Sequence, residues 1–330
     1  MGRICVVPWP PAIGPAVWSV DGVFSGKEIR EIRWNESTGY LYGFAQTGEI
    51  YRRDGANNWT LAATIPNFNL YGGAYPTTAY WAGDIYVWGG VSPSNNACIV
   101  KFGGDESLTT QWSNYYWRFS GFFKGIGTGA TLMTPSVLNY DTTKTGQRLA
   151  SGVWQNSFAA TDAYNTIHYS HEDPFGNYYV VGGATGKMHD YDISGGNVYT
   201  MAAEATNDQG AHQLANWGGK IYMPNPGTTP HIYSLSTVGG AWSNFGMPSG
   251  MAKPWAVHGA GARLYVYGYY TTVAPPYTPV GIAAWDGSAW KQEYLTAKAY
   301  DSSCVYGHFA HDASAPYFCM LDTIYRRSRL

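Results

Sequence analysis

Charged residues are scarce in this 330-residue sequence: Asp, Glu, Lys and Arg together make up 13%. The net charge is −2, and the only basic clusters are Arg52-Arg53 and Arg326-Arg327 with Arg329. A nucleic-acid binder carries a basic face or stripe, so nucleic acid is excluded as a partner. Long apolar runs are missing as well. None reaches the roughly 18 residues a spanning helix needs, so no membrane insertion is expected. The opening segment, Met1 to Pro11, holds only a short apolar stretch cut by prolines. It does not fit a secretory signal, and Val6 stands where a myristoylation signal needs Ser or Thr. Synthesis in the cytoplasm without general secretion is the expectation.

Cysteine is also sparse. Cys5, Cys98, Cys304 and Cys319 form no Cys-x-x-Cys, which is poor spacing for zinc. They read as small buried thiols. Cys5 could approach Cys304 or Cys319 if the chain ends meet, which the sequence leaves open. Catalytic signatures are absent too. There is no Gly-x-Ser-x-Gly, and Gly125-Ile126-Gly127-Thr128-Gly129 lacks the lysine and the following helical pattern of a phosphate loop. Only eight Glu are present, which leaves little for the paired carboxylates of a glycosidase. Asp54-Gly55 and Asp286-Gly287 faintly resemble a sialidase Asp-box but lack its intervening residue, so they read as turns. The sequons at Asn35 and Asn58 carry little weight without an export signal.

Aromatics and glycine are abundant: 28 Tyr, 14 Trp and 41 Gly. Aromatics suit pleated strands, and glycine supplies the positive φ of tight hairpins. The two together predict many short strands. An apolar-aromatic strand recurs with lead tyrosines at 40, 86, 178, 222, 265 and 317, spaced by 46, 92, 44, 43 and 52. The spacing of 92 holds two periods, placing a weaker copy near Thr131-Leu132-Met133. A shorter strand, a turn and a Trp or Tyr follow: Ile50 to Gly55 then Trp59, Ile232 to Ser234 then Trp242, Ala283 to Gly287 then Trp290, His189 to Asp192 then Tyr199. Trp112 and Trp154 serve the second and third copies. A further strand precedes each lead Tyr, at Ile29 to Trp34, Thr166 to Ser170, Ala211 to Ala215 and Val305 to Ala310. Four strands in about 47 residues make a propeller blade.

The last copy stops early. Ile324-Tyr325-Arg326-Arg327 echoes Ile50-Tyr51-Arg52-Arg53, and then the chain ends. Its missing Trp strand is expected from the other terminus, Ala16 to Asp21, which would remove two exposed edges. The prediction is one all-β propeller over residues 1–330, with blades near 24–66, 67–117, 118–160, 161–205, 206–250, 251–297, and 298–330 plus 1–23. Six blades is the alternative, with 113–160 as an insertion.

Gly89-Gly90 and Gly182-Gly183 after apolar strands, with Tyr191 and then Trp112 or Tyr199, resemble the kelch family. The resemblance implies a propeller fold and a tendency toward binding, and little more, because propellers differ widely in function.

His-x-x-His-acid occurs twice, at His168 to Glu172 and His308 to Asp312. Residues three apart on a strand face opposite ways, so neither pair is expected to chelate a metal, and both read as polar hairpins. His168, His212, His258 and His308 fall at matching places in the repeat and are expected to line the central channel. Tyr115, Tyr116, Trp117, Tyr269, Tyr270 and Tyr277 fall in expected inter-strand loops and are the candidate binding residues. No catalytic residue, metal or cofactor is expected. The reading is a non-enzymatic interaction propeller, a virion protein of a bacterial virus such as a tail or receptor-contacting component. Its partners would be other virion subunits or a host-surface glycan. The alternatives are a carbohydrate-binding or glycan-active propeller and a cytoplasmic kelch-type adaptor.

Overall fold

The computed structural model describes residues 17–69, 78–91, 96–114, 117–119, 123–125, 131–138, 144–150, 153–160, 167–172, 178–182, 187–192, 197–200, 213–227, 229–236, 243–271, 279–299 and 307–328. These residues form an all-β propeller, and among them every regular element is a strand. They make seven antiparallel sheets. The first sheet holds Ile29–Asn35, Tyr40–Ala45, Glu49–Gly55 and Asn58–Thr64 in sequence order. The described strands between residues 117 and 160 pair among themselves as the third sheet, and Thr131–Leu138 stands second in its order. The fourth, fifth and sixth sheets begin at Ile167, Ala215 and Met251.

The seventh sheet joins the two ends of the described chain. Gly307–His311, Pro316–Met320 and Thr323–Arg327 are completed by Trp18–Val23, which pairs with the third of them from Trp18↔Arg327 to Val23↔Thr323. The strand expected from the N-terminal side therefore occupies the predicted place.

The second sheet departs from the simple repeat. Two short strands, Phe68–Asn69 and Thr78–Trp81, both pair with its second strand, Asp84–Val91. Gly89 faces the first of these: a Cβ there would stand 2.5 Å from the Asn69 carbonyl oxygen. In the sixth sheet Gly268 meets the Lys253 carbonyl in the same way, beside the irregular register of Met251–Ala260. The glycine of the repeat is thus required by a close approach of the first strand, not by a turn.

Aromatic side chains fill the wedges between sheets. Trp18, Tyr265, Tyr267, Phe309 and Phe318 form one core across the sixth and seventh sheets. Tyr42, Phe44, Val87 and Phe102 form another across the first and second. Cys98 is a free thiol in the second of these cores and Cys319 one in a third, between the seventh and first sheets, and burial pushes Cys98 up to about 12. Cys5 and Cys304 lie outside the described residues.

The Arg-Arg echo has a physical cause. Arg53, in the third strand of the first sheet, forks onto Asp21 of the preceding sheet's outer strand through Nε and Nη2, at 2.6 and 2.9 Å. The cross-strand neighbour of Arg53, Trp59, donates its indole N–H to the same carboxylate at 3.1 Å. Arg327 repeats this one sheet earlier, gripping Glu293 at 2.8 Å through both nitrogens. Trp18, paired with Arg327, donates to Glu293 at 2.9 Å.

Candidate functional site

The first strands of neighbouring sheets meet around the propeller axis, and their polar side chains form one cluster. Glu31, Arg33 and Thr78 come from the first and second sheets. Gln213 precedes the fifth sheet, His258 lies on the sixth, and His308 and His311 lie on the seventh. Glu31 is buried. It accepts from the Thr78 hydroxyl at 2.5 Å and its backbone N–H at 3.2 Å, and from Arg33 Nη2 at 3.3 Å. Arg33 Nε also donates to Thr78 Oγ1 at 2.7 Å. A buried carboxylate needs such donors to offset desolvation.

Gln213 links three sheets. Its backbone carbonyl accepts from Val257 N–H at 2.9 Å. Its side-chain amide donates to the Phe309 carbonyl at 2.9 Å and accepts the Phe309 N–H at 2.7 Å. Both hydrogen-bonding groups of a strand residue are thereby satisfied by a side chain from two sheets away. The same amide nitrogen stands 3.4 Å from His258 Nδ1. His258 Nε2 lies 2.9 Å from His311 Nδ1, and its ring stacks on Phe309 with centroids 5.8 Å apart. One of the two imidazoles must donate and the other accept. Burial holds His311 below the ordinary histidine value although its edge is exposed.

His308 differs from the others. It is 4% exposed, and neither ring nitrogen has a hydrogen-bond partner among the described residues. Burial, then the charge of Arg33, then His258 hold it well below the usual range, so the ring is neutral.

The sequence-predicted residues divide. His258 and His308 belong to the cluster. His168 lies in the strand Ile167–Glu172 of the fourth sheet, and His212 lies outside the described residues. Three loop aromatics are corrected. Trp117 opens the strand Trp117–Phe119, and Tyr269 and Tyr270 end the strand Arg263–Tyr270. Tyr270 is 1% exposed in the core between the fifth and sixth sheets, and Tyr269 packs on Trp255 at 5.5 Å. The run of alternating aromatics simply continues past Gly268, and packing between sheets claims it. Tyr115, Tyr116 and Tyr277 lie outside the described residues. Glu31, Arg33, Thr78 and Gln213 were not singled out by sequence. The one signal for Glu31, Arg33 and Gln213 was their place in an expected first strand, Ile29 to Trp34 or Ala211 to Ala215; none was expected around Thr78.

The turn readings at Asp312 and Asp286 hold, whereas Asp54-Gly55 ends its strand and the turn falls on the next two residues. Asp312 Oδ1 accepts from Ser314 N and Oγ at 2.6 and 2.7 Å and from Ala315 N at 2.8 Å. Asp286 does the same for Ser288 and Ala289, with Gly287 at φ 98°. These are Asx turns. Among the described residues no group of three or more His, Cys, Asp or Glu could hold a metal ion.

No family model and no curated protein matches this sequence. Solved structures are similar in fold. A virginiamycin B lyase from Staphylococcus aureus matches with TM-score 0.67 at 12% identity, covering 93% of this chain and 98% of that one. YCF48, solved bound to a D1 peptide, matches with TM-score 0.62 at 11% identity over 97% and 99%. YCF48 from Cyanidioschyzon merolae matches with TM-score 0.60 at 10% identity over 94% and 98%. At such identities the likeness shows the propeller fold, which an enzyme and a peptide-binding protein share.

Proposed function

We propose that this chain is a non-enzymatic interaction propeller, with each of the seven described sheets as one kelch-like blade. The observation that carries the reading is the bonding at the axis. Glu31, Arg33, Thr78 and Gln213 spend their hydrogen bonds on one another and on neighbouring sheets. Groups so engaged hold sheets in register rather than reacting. YCF48 lends support as a propeller of the same size that holds a peptide. Within this class we assign the chain to the virion of a bacterial virus, on its low charge and its Tyr- and Gly-rich composition. Other virion subunits are then its partners. Proteomics of purified particles tests the assignment: the chain is expected at fixed stoichiometry with tail components. Recovery only from the soluble fraction, in a one-to-one complex with a cellular protein, would select the adaptor reading instead.

One contact favours a second reading. The His258–His311 pair, 2.9 Å apart, could pass a proton as general acid and base, in a fold shared with the S. aureus lyase. Turnover of a glycan or of virginiamycin B that disappears in His258→Ala would replace the interaction reading with a catalytic one.

A further inference from the structure

Gln213 cannot be turned round. Its side chain meets the backbone of Phe309, whose N–H only donates and whose carbonyl only accepts. Oε1 therefore takes the N–H at 2.7 Å and Nε2 gives to the carbonyl at 2.9 Å. This fixes which end of the amide lies beside His258. Nε2, a donor only, stands 3.4 Å from His258 Nδ1. A hydrogen on Nδ1 would set N–H against N–H, so neutral His258 keeps Nδ1 bare and carries its hydrogen on Nε2. That nitrogen donates to His311 Nδ1 across 2.9 Å, and His311 holds its own hydrogen on Nε2. A backbone group of the seventh sheet thus sets the direction of the whole relay.

Neither ring can gain a proton without loss. One on His258 Nδ1 faces the Gln213 amide hydrogens, and one on His311 Nδ1 faces the His258 N–H. Either ends a hydrogen bond and opposes two donors, and protons on both rings add like-charge repulsion. The surroundings do little to hold the charge. Asp312, next to His311, has Oδ1 taken by its own turn and Oδ2 by the Tyr317 hydroxyl. Glu31 is taken by Thr78 and Arg33. Tyr265, opposite His258, is kept neutral by burial, which pushes it up to about 12. His308 and Cys319 are buried and uncharged. Arg33, Lys220 and Lys253, on the first, fifth and sixth sheets, are cations, and Arg263 is held by Glu293. His258 is half-buried and His311 has an exposed edge, so solvent protons reach the pair.

We propose that Gln213, His258 and His311 form an acid-sensitive latch at the axis. While both rings are neutral it ties the segment before the fifth sheet to the first strands of the sixth and seventh; when either ring gains a proton the relay breaks. Phe309, 1% exposed beneath the His258 ring, is the apolar surface that loses its cover. The latch goes beyond the interaction reading and does not depend on it.

The test follows the imidazole nitrogens of the full chain by NMR, with labelled histidine, from about pH 8 to 5. His258→Gln and His311→Gln assign the two rings. At the upper end both are expected in the form with hydrogen on Nε2. As pH falls below the ordinary histidine value of about 6.5, both take up protons. The Val257 and Phe309 amides, which Gln213 holds, should then exchange about tenfold faster or more, after correction for the direct effect of pH on exchange. The sign follows from linkage: protection that needs neutral rings is present above that pH and lost below it. In either Gln variant the response should flatten, because glutamine does not titrate. If neither variant folds, His258 is identified by its through-space contact with the Phe309 ring, and its tautomer still decides. A His258 hydrogen on Nδ1 at high pH, Val257 and Phe309 protection that ignores pH, or a pH response that survives both substitutions overturns the proposal.

Discussion

Two junctions use the same positions with opposite chemistry. Where the seventh sheet meets the first, Arg53 and Trp59 close on the Asp21 carboxylate. Where the fifth meets the sixth, Trp285 and its cross-strand partner Trp290 close on Phe245, with centroids 5.0 and 5.9 Å away. Arginine has become tryptophan and aspartate has become phenylalanine, both at once. Each set is complete. A half-converted set would bury an unpaired charge, which is far costlier than either finished one. The charged version occurs on both flanks of the sheet built from two distant chain segments, through Asp21 on one side and Glu293 on the other. Burial of apolar surface is indifferent to small slips, whereas a bidentate Arg–carboxylate pair fixes direction and distance. The closing strand, which no hairpin joins to its sheet, is where such a constraint matters most.

Removal of residues 1–21 would test this contrast most severely. It deletes Trp18 and Asp21 together and leaves Arg53, Arg327 and Glu293 without those partners. Loss of cooperative unfolding or aggregation is expected; a soluble truncation with unchanged thermal stability would show that the clamps are dispensable. Asp21→Ala should cost about 3–5 kcal/mol in urea denaturation, the usual cost of orphaning a buried charge. Asp21→Leu with Arg53→Met should recover much of that loss, as the aromatic junction implies. Phe245 is only partly buried, so Phe245→Ala should cost about 2 kcal/mol, from lost apolar burial. A larger loss there than at Asp21 would reverse the comparison.

The smallest effect is expected from pH. His308 is held below its ordinary 6.5 by burial and by Arg33. The unfolded chain takes up a proton below about 6.5 while the folded ring stays neutral. Its contribution is therefore full above that pH and declines as pH falls, by up to about 1.4 kcal/mol per unit. The midpoint of urea unfolding, followed from neutral pH downward, should drop less steeply in His308→Leu. Equal slopes would place the acid sensitivity elsewhere.

Much of the ring was legible because the repeat is local. Tyr40, Tyr86, Tyr178, Tyr222, Tyr265 and Tyr317 all lie in second strands, since alternating aromatics encode a strand whatever surrounds it. Trp18 could be placed as the closing residue because its strand had no other partner in the pattern. Tyr269 and Tyr270 misled, because a tyrosine pair on a surface and one at the end of a buried strand have the same sequence. The axial cluster was half visible. Repeat position marked His258 and His308, but nothing near Gln213 announces that its amide reaches Phe309, 96 residues further on.

By itself the sequence determined the strand period, the hairpin turns and the need for an end-to-end closure. All three follow from backbone geometry and from side-chain alternation within a few residues. Only the tertiary structure decided which charges meet across sheets, which glycines lie under a neighbouring carbonyl, and which histidine finds no hydrogen-bond partner among the described residues. Those outcomes depend on distances between strands far apart in the chain, and a side chain's hydrogen-bonding groups do not reveal in advance which ones it will meet.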